Sequence, residues 1–205
     1  MPQKILPYQW YALILRDEVP LFSGLDNNIS EEDLWQIGLD NGVLALTNHK
    51  LVNSATLASL PQTYRERLHK YSLNAAATEL GQDHELQKVL SLFTNAVIPF
   101  LLMKGTPLAY THYPQPYLRS RCDTDILFNN KNDAEKASSL LETLGYQRPN
   151  AVSGEFVSHE FSCHKTDKLG IGHTLDMHWK LSNAQRFARA FTFTELADSS
   201  TPITE

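Results

Sequence analysis

Ile98-Pro-Phe-Leu-Leu-Met-Lys-Gly-Thr-Pro-Leu108 is where the chain changes character. The compact apolar run ending at Met103 has the length and bounding residues of a buried strand. Lys104-Gly105 closes it. Thr106-Pro107 then reads as a helix N-cap followed by proline at the first helical position, with Leu108, Ala109 and Tyr110 continuing a short helix. A strand, a glycine turn and a helix thus follow one another.

Upstream, the pattern is helical. Ser30-Glu31-Glu32-Asp33 is a helix-start signature, because the hydroxyl accepts an orphan backbone N–H and the carboxylates suit the positive helix end. Leu34, Ile37 and Leu39 supply the apolar side of that helix. From Gln62 to Phe93, Tyr64, Leu68, Tyr71 and Ala75, then Leu86, Val89, Leu90 and Phe93, recur at helical spacing on either side of Gly81. That predicts one long kinked helix or two shorter ones.

Downstream, Asp123 to Phe128 reads as a strand. Asn132 to Leu144 reads as a helix with Ala134, Ala137, Leu140, Leu141 and Leu144 inward and Gly145 as its C-cap. Glu155 to Ser162 and Ile171 to Trp179 read as two further strands, and Phe191 to Glu205 shows no evident terminal element. The expected fold class is α+β: a helical N-terminal region over residues 1–95, then a mixed β-sheet with flanking helices over 96–205.

Bulk properties fit that picture. The 205 residues suit one good-sized domain, or one with a helical appendage, and 42% apolar with 20% charged residues is ordinary for a globular protein. A formal net charge of -5 shows no polybasic face, which argues against a nucleic-acid duplex as partner. Cys122 and Cys163 are too few and too far apart for a disulfide scaffold or a zinc knuckle. Met1-Pro-Gln-Lys-Ile-Leu-Pro7 lacks the features of a secretory signal, and the run Ala96 to Met103 is broken by Pro99 and too short to span a bilayer. The expectation is a soluble cytoplasmic protein with no membrane partner.

Asp123-Thr-Asp125 carries the chemistry. Side chains alternate along a strand, so both carboxylates emerge on one face while Thr124 points the other way, and their Cα atoms stand roughly 7 Å apart. That span lets two carboxylates share hard cations bridged by phosphate oxygens. In Thr174-Leu-Asp-Met-His-Trp179, alternation puts Thr174, Asp176 and His178 on one face. If the two strands are neighbours, three carboxylates converge. Beside a strand-Gly-helix turn, this is what two-metal phosphoryl or nucleotidyl transfer requires, the helix end supplying N–H donors for phosphate. Lys104, Arg119 and Arg121 add cationic contacts.

Leu102-Met-Lys-Gly-Thr-Pro-Leu108, Tyr113-Pro-Gln-Pro116, Arg119 four residues before Asp123-Thr-Asp-Ile-Leu127, Leu144-Gly-Tyr146 and Leu175-Asp-Met-His-Trp179 together resemble the uncharacterised bacterial nucleotidyltransferase family of the polymerase-beta-like superfamily. The likeness covers most of the chain up to Trp179. It implies a minimal nucleotidyltransferase fold in which Asp123, Asp125 and Asp176 hold magnesium or manganese. It also implies an enzyme that moves a nucleoside monophosphate from a nucleoside triphosphate such as ATP to an acceptor hydroxyl, whether on a small molecule, RNA or protein, with release of pyrophosphate. Lys104, Gly105, Thr106 and Arg119 are the expected nucleotide-binding residues, Thr106 standing where the superfamily usually has Gly or Ser. Similar proteins continue into a further helical region, so the expectation is a core truncated at its C-terminus with an incomplete acceptor pocket.

Two rival readings remain. One is a catalytically silent nucleotide-binding module of the same fold. The other is a metal-dependent hydrolase built on His159, His164, His173 and His178, with Glu160 and Cys163 nearby. His159-Glu-Phe-Ser-Cys-His164 is not the His-Glu-x-x-His helix motif, since the second His comes one residue late in a strand-like segment. His178 and His159 are instead expected to support the carboxylate site, and His164 and His173 to be exposed loop-end residues. Cys122 is read as packing, and Tyr113 or Tyr117 as a candidate base-stacking ring. No nucleophile elbow, Walker loop or dinucleotide fingerprint is present.

Overall fold

A computed structural model of the chain describes residues 4–26, 28–52, 54–149, 159–181 and 190–203. They fall into two units, Met1–Glu79 with Tyr113–Ser120, and Leu80–His112 with Arg121–Glu205. Among the described residues no helix is long and apolar enough to cross a membrane.

The first unit holds α1 (Pro7–Leu15), α2 (Glu31–Asp40), α3 (Leu44–Leu51), α4 (Ala55–Ser59) and the first part of α5 (Gln62–Asn95). Ser30 caps α2 as its sequence predicts: its hydroxyl accepts the Asp33 N–H, and its own N–H donates to the Asp33 carboxylate. Trp10, Ile14, Leu34, Leu44, Tyr64 and Leu68 form the core. Leu39, expected on the inward side of α2, is exposed, and Trp35 is buried instead. The α2 helix admits Gly38 because Tyr11 crosses it closely. The Tyr11 hydroxyl lies 2.9 Å from the Leu34 carbonyl and 2.7 Å from the Tyr64 hydroxyl, and a Cβ on Gly38 would collide with the ring.

Helix α5 is continuous through Gly81. The glycine marks a close approach rather than a break, since a Cβ there would meet the Ile171 side chain. The second unit has β1 (Phe100–Met103), α6 (Gly105–His112), β2 (Thr124–Phe128), α7 (Lys131–Leu141), β3 (Glu160–Thr166), β4 (Gly172–His178) and α8 (Phe193–Asp198). The sheet order is β1-β2-β4-β3; β1 and β3 run antiparallel to their neighbours, and β2 and β4 are parallel.

One sheet face is the core. Ile126, Phe128, Leu175, Met177, Phe161 and Cys163 pack there with Val89 and Phe93 of α5 and Ala134, Ala137 and Leu141 of α7. Leu140 and Leu144 pack against it half-buried, and Gly145 ends the following 3₁₀ turn at φ +85°, the left-handed cap expected of it. The third strand lies later than its expected Glu155 start, and residues 155–158 are outside the described set. Phe191–Glu205 contains an element after all, since Thr192 and Glu195 form a reciprocal capping box for α8. The Thr-x-x-Glu signature for it stands in the sequence.

Candidate active site

The site face of the sheet is set by register. Residues directly opposite one another across the four strands form one row of Met103, Asp125, Asp176 and Ser162, and a second of Leu101, Leu127, His178 and Glu160. Because β2 and β4 are hydrogen-bonded neighbours, Asp125 and Asp176 stand side by side about 4.8 Å apart at Cα. Their carboxylate oxygens and a ring nitrogen of His178 lie within 4.8 Å of one another.

These groups are held by one another. Asp125, 4% exposed, faces the Lys104 ammonium, and the same oxygen lies 2.8 Å from His178 Nε2. The other ring nitrogen, Nδ1, lies 2.8 Å from Glu160 Oε2, so two carboxylates fix the imidazole. Ser162 Oγ donates to Asp176 Oδ1 at 2.6 Å. Lys104 reaches Asp125 because its backbone is left-handed, φ 55°, at the junction of β1 and α6. A lysine there gives up backbone ease to turn the chain sharply beside Asp125.

Asp123 precedes β2 and is exposed. Although the residue is exposed, partial loss of hydration at its carboxyl, then the charges of Asp125 and Asp176, raise its proton affinity above the ordinary aspartate value, against the opposing pull of Lys104. Lys104 in turn is raised, first by its hydrogen bond to Asp125. Asp125, Asp176 and His178 are the groups close enough to share a cation, while Asp123 is near enough to feel the two aspartate charges; carboxylate oxygens are the donors a hard divalent cation prefers.

The remaining candidates are dispersed. Helix α6 starts at Gly105, so Thr106 lies within its first turn and not at the N-cap. Its side chain is 1% exposed and turned inward, 3.3 Å from the Thr124 hydroxyl and accepting from Arg121, so its backbone is the part able to serve phosphate. Arg121 also donates to Thr124 and to Tyr110, whose hydroxyl donates to Asp83 at 2.8 Å. Arg119, Tyr113 and Tyr117 belong to the first unit, where the Arg119 guanidinium lies 5.9 Å from the Tyr113 ring centre. Cys122 is exposed and not packing.

The four histidines do not assemble. His173 is buried on the core face of β4, 3.4 Å from Asp167, and is not a loop-end residue. His164 is exposed on β3, 3.1 Å from Thr174 Oγ1. His159 sits before β3 with its ring against Trp179, 6.3 Å between centres. Alternation puts His173 and His178 on opposite faces, which separates them as ligands. Ser162 and the role of Glu160 were missed by sequence reasoning. Their signal is the buried alternates Phe161 and Cys163, which put Ser162 and Glu160 on the other face of β3.

A helix-backed mixed sheet with paired aspartates on one face of its two central parallel strands, entered from a strand-turn-helix, is a minimal nucleotidyltransferase fold. Residues 27–205 match the family described as uncharacterised nucleotidyltransferase, and the chain belongs to that family. No curated protein matches the chain.

Proposed function

We propose that the protein transfers a nucleoside monophosphate from a nucleoside triphosphate to a hydroxyl on a small-molecule, RNA or protein acceptor, with magnesium or manganese and with release of pyrophosphate. The observation that supports this reading best is the side-by-side pairing of Asp125 and Asp176, with Lys104 and the start of α6 beside Asp125. Asp123, Asp125 and Asp176 would hold the divalent cation. Such a cation, when bound, offsets triphosphate charge and eases deprotonation of the attacking hydroxyl.

The chain's own groups divide the remaining work. The Lys104 ammonium and the positive end of α6, through the Gly105 and Thr106 backbone, face the β- and γ-phosphates. The acceptor oxygen bonds to the α-phosphorus, the bond from that phosphorus to the β-bridging oxygen breaks, and pyrophosphate departs toward Lys104. The hydroxyl proton passes to Asp176, whose carboxylate Ser162 holds in orientation. His178, fixed by Glu160, steadies Asp125.

A second reading, a silent nucleotide-binding module, draws on a specific observation: one Asp125 oxygen already engages both Lys104 and His178. The two readings separate on transfer. With magnesium, α-phosphate-labelled nucleoside triphosphate and cell extract, the expected result is label on an acceptor, pyrophosphate in equal amount, and neither product from Asp123→Asn or Asp125→Asn. Triphosphate binding without labelled acceptor in any extract would favour the silent module.

A further inference from the structure

We propose that the cavity of about 460 Å³ at the C-terminal ends of β2 and β4 binds the base of the donor nucleotide. This rests on the nucleotidyl-transfer reading of the neighbouring carboxylates. Its volume lies in the range of small-molecule sites, and its wall includes Leu127, Asn129, Trp179, Phe191, Phe193 and Thr194. Aromatic faces stack on flat heterocycles, and Asn129 and Thr194 supply hydrogen-bonding groups for a base edge. Among the described residues the wall is mostly apolar and aromatic, with Lys180 its one charged group, which suits a flat heterocycle with a cation at its edge.

Direction along the sheet assigns the occupant. Met103 lies opposite Asp125, so Lys104 and α6 stand at the start of β2, while the cavity lies at its end. Leu127 bridges the two regions: it is two residues beyond Asp125 on the same face, directly opposite His178, and it also forms part of the cavity wall. Two strand residues span roughly 7 Å, a distance comparable to that between an α-phosphate and the base of one nucleotide. A triphosphate extended toward Lys104 therefore directs its nucleoside toward the strand ends, where Trp179, which packs against the core, forms part of the cavity wall. That ring is fixed by Phe161, 5.9 Å away between centres, and by the Lys131 ammonium at 5.7 Å.

The test compares nucleotides with a ligand that has no base. Binding of ATP, GTP, CTP, UTP and inorganic tripolyphosphate, each with magnesium, is measured calorimetrically on the full chain and on Phe191→Ala, Phe193→Ala and the double variant. Phe191 is exposed and Phe193 half-buried, so folding is expected to survive, with circular dichroism as the check. Loss of base stacking predicts that the double variant binds the tightest nucleotide about tenfold or more weakly. Tripolyphosphate should stay within about twofold.

Equal effects on both ligands, or none on the nucleotide, would overturn the assignment. So would unchanged nucleotide affinity with a raised acceptor KM, which would place the acceptor in the cavity. If tripolyphosphate binds and no nucleotide binds more tightly, the cavity assignment fails while the phosphate site stands. If no triphosphate binds at all, both readings fail.

Discussion

Asp123 illustrates how the end of a central strand concentrates charge. In the fold its carboxyl holds its proton more tightly than in an unfolded chain, through partial loss of hydration and then the charges of Asp125 and Asp176. The sign follows: Asp123 favours the folded state while protonated, and that contribution is lost as pH rises through its raised pKa. Asp125→Asn removes one of the repelling charges, so the Asp123 resonance should titrate at lower pH in the variant by carboxyl carbon NMR. Glu160 acts one step further out. Replacing a group that orients a ligand's neighbour commonly costs about 10–100-fold in metal affinity or activity. Glu160→Ala is expected in that range, and Glu160→Gln, which keeps an oxygen for His178 Nδ1–H, should recover much of the loss. Equal loss in both variants would show that charge, not orientation, is the contribution. At this scale the aspartates could be read directly because two-residue spacing fixes a face. Thr106 could not, because a one-residue shift in where α6 begins turns its hydroxyl from solvent to core.

Elements obey the same chemistry where packing decides. Gly38→Ala should gain helix propensity yet drive a methyl group into Tyr11, for a net loss of about 1–3 kcal/mol in urea unfolding. Glu85 of α5 tests a buried charge. Burial pushes its carboxyl up, but hydrogen bonds and charges from Lys165 and Lys88 outweigh that and hold it below the ordinary glutamate value. Its contribution to stability is therefore fully present above the unfolded value near pH ~4.3 and is lost as pH falls through the folded pKa. Lys165→Met should cost about 1–3 kcal/mol at neutral pH, with the difference from wild type shrinking in acid. Long periodic stretches such as α5 and α7 were legible because many residues vote for one face. The ends of β3 were not, since strand boundaries depend on which neighbour completes the ladder, whereas β4 runs within one residue of its expected ends. The short α8 carried a capping signature that a polar, turn-like tail obscured.

At the scale of the molecule, the helical start and mixed-sheet finish follow from the change in periodicity at Ile98–Leu108. Strand order does not: nothing local in Asp123–Phe128 or Ile171–Trp179 states that β2 and β4 pair in parallel with Asp125 opposite Asp176. Resemblance across several spaced motifs implied only that Asp176 joins Asp123 and Asp125, and hydrogen-bonded register supplies the geometry. Nor does local pattern reveal that Tyr113–Ser120 returns to the first unit, where Leu118 is buried. The central claim, that the aspartate row holds a divalent cation together with a nucleoside triphosphate, is tested most directly by manganese binding. Electron paramagnetic resonance on the full chain, with and without a non-hydrolysable triphosphate, reads it out. The account predicts triphosphate-dependent manganese uptake by the wild type that is abolished by Asp125→Asn and by Asp176→Asn. Equal uptake by the wild type and these variants, or none by any of them, would contradict it.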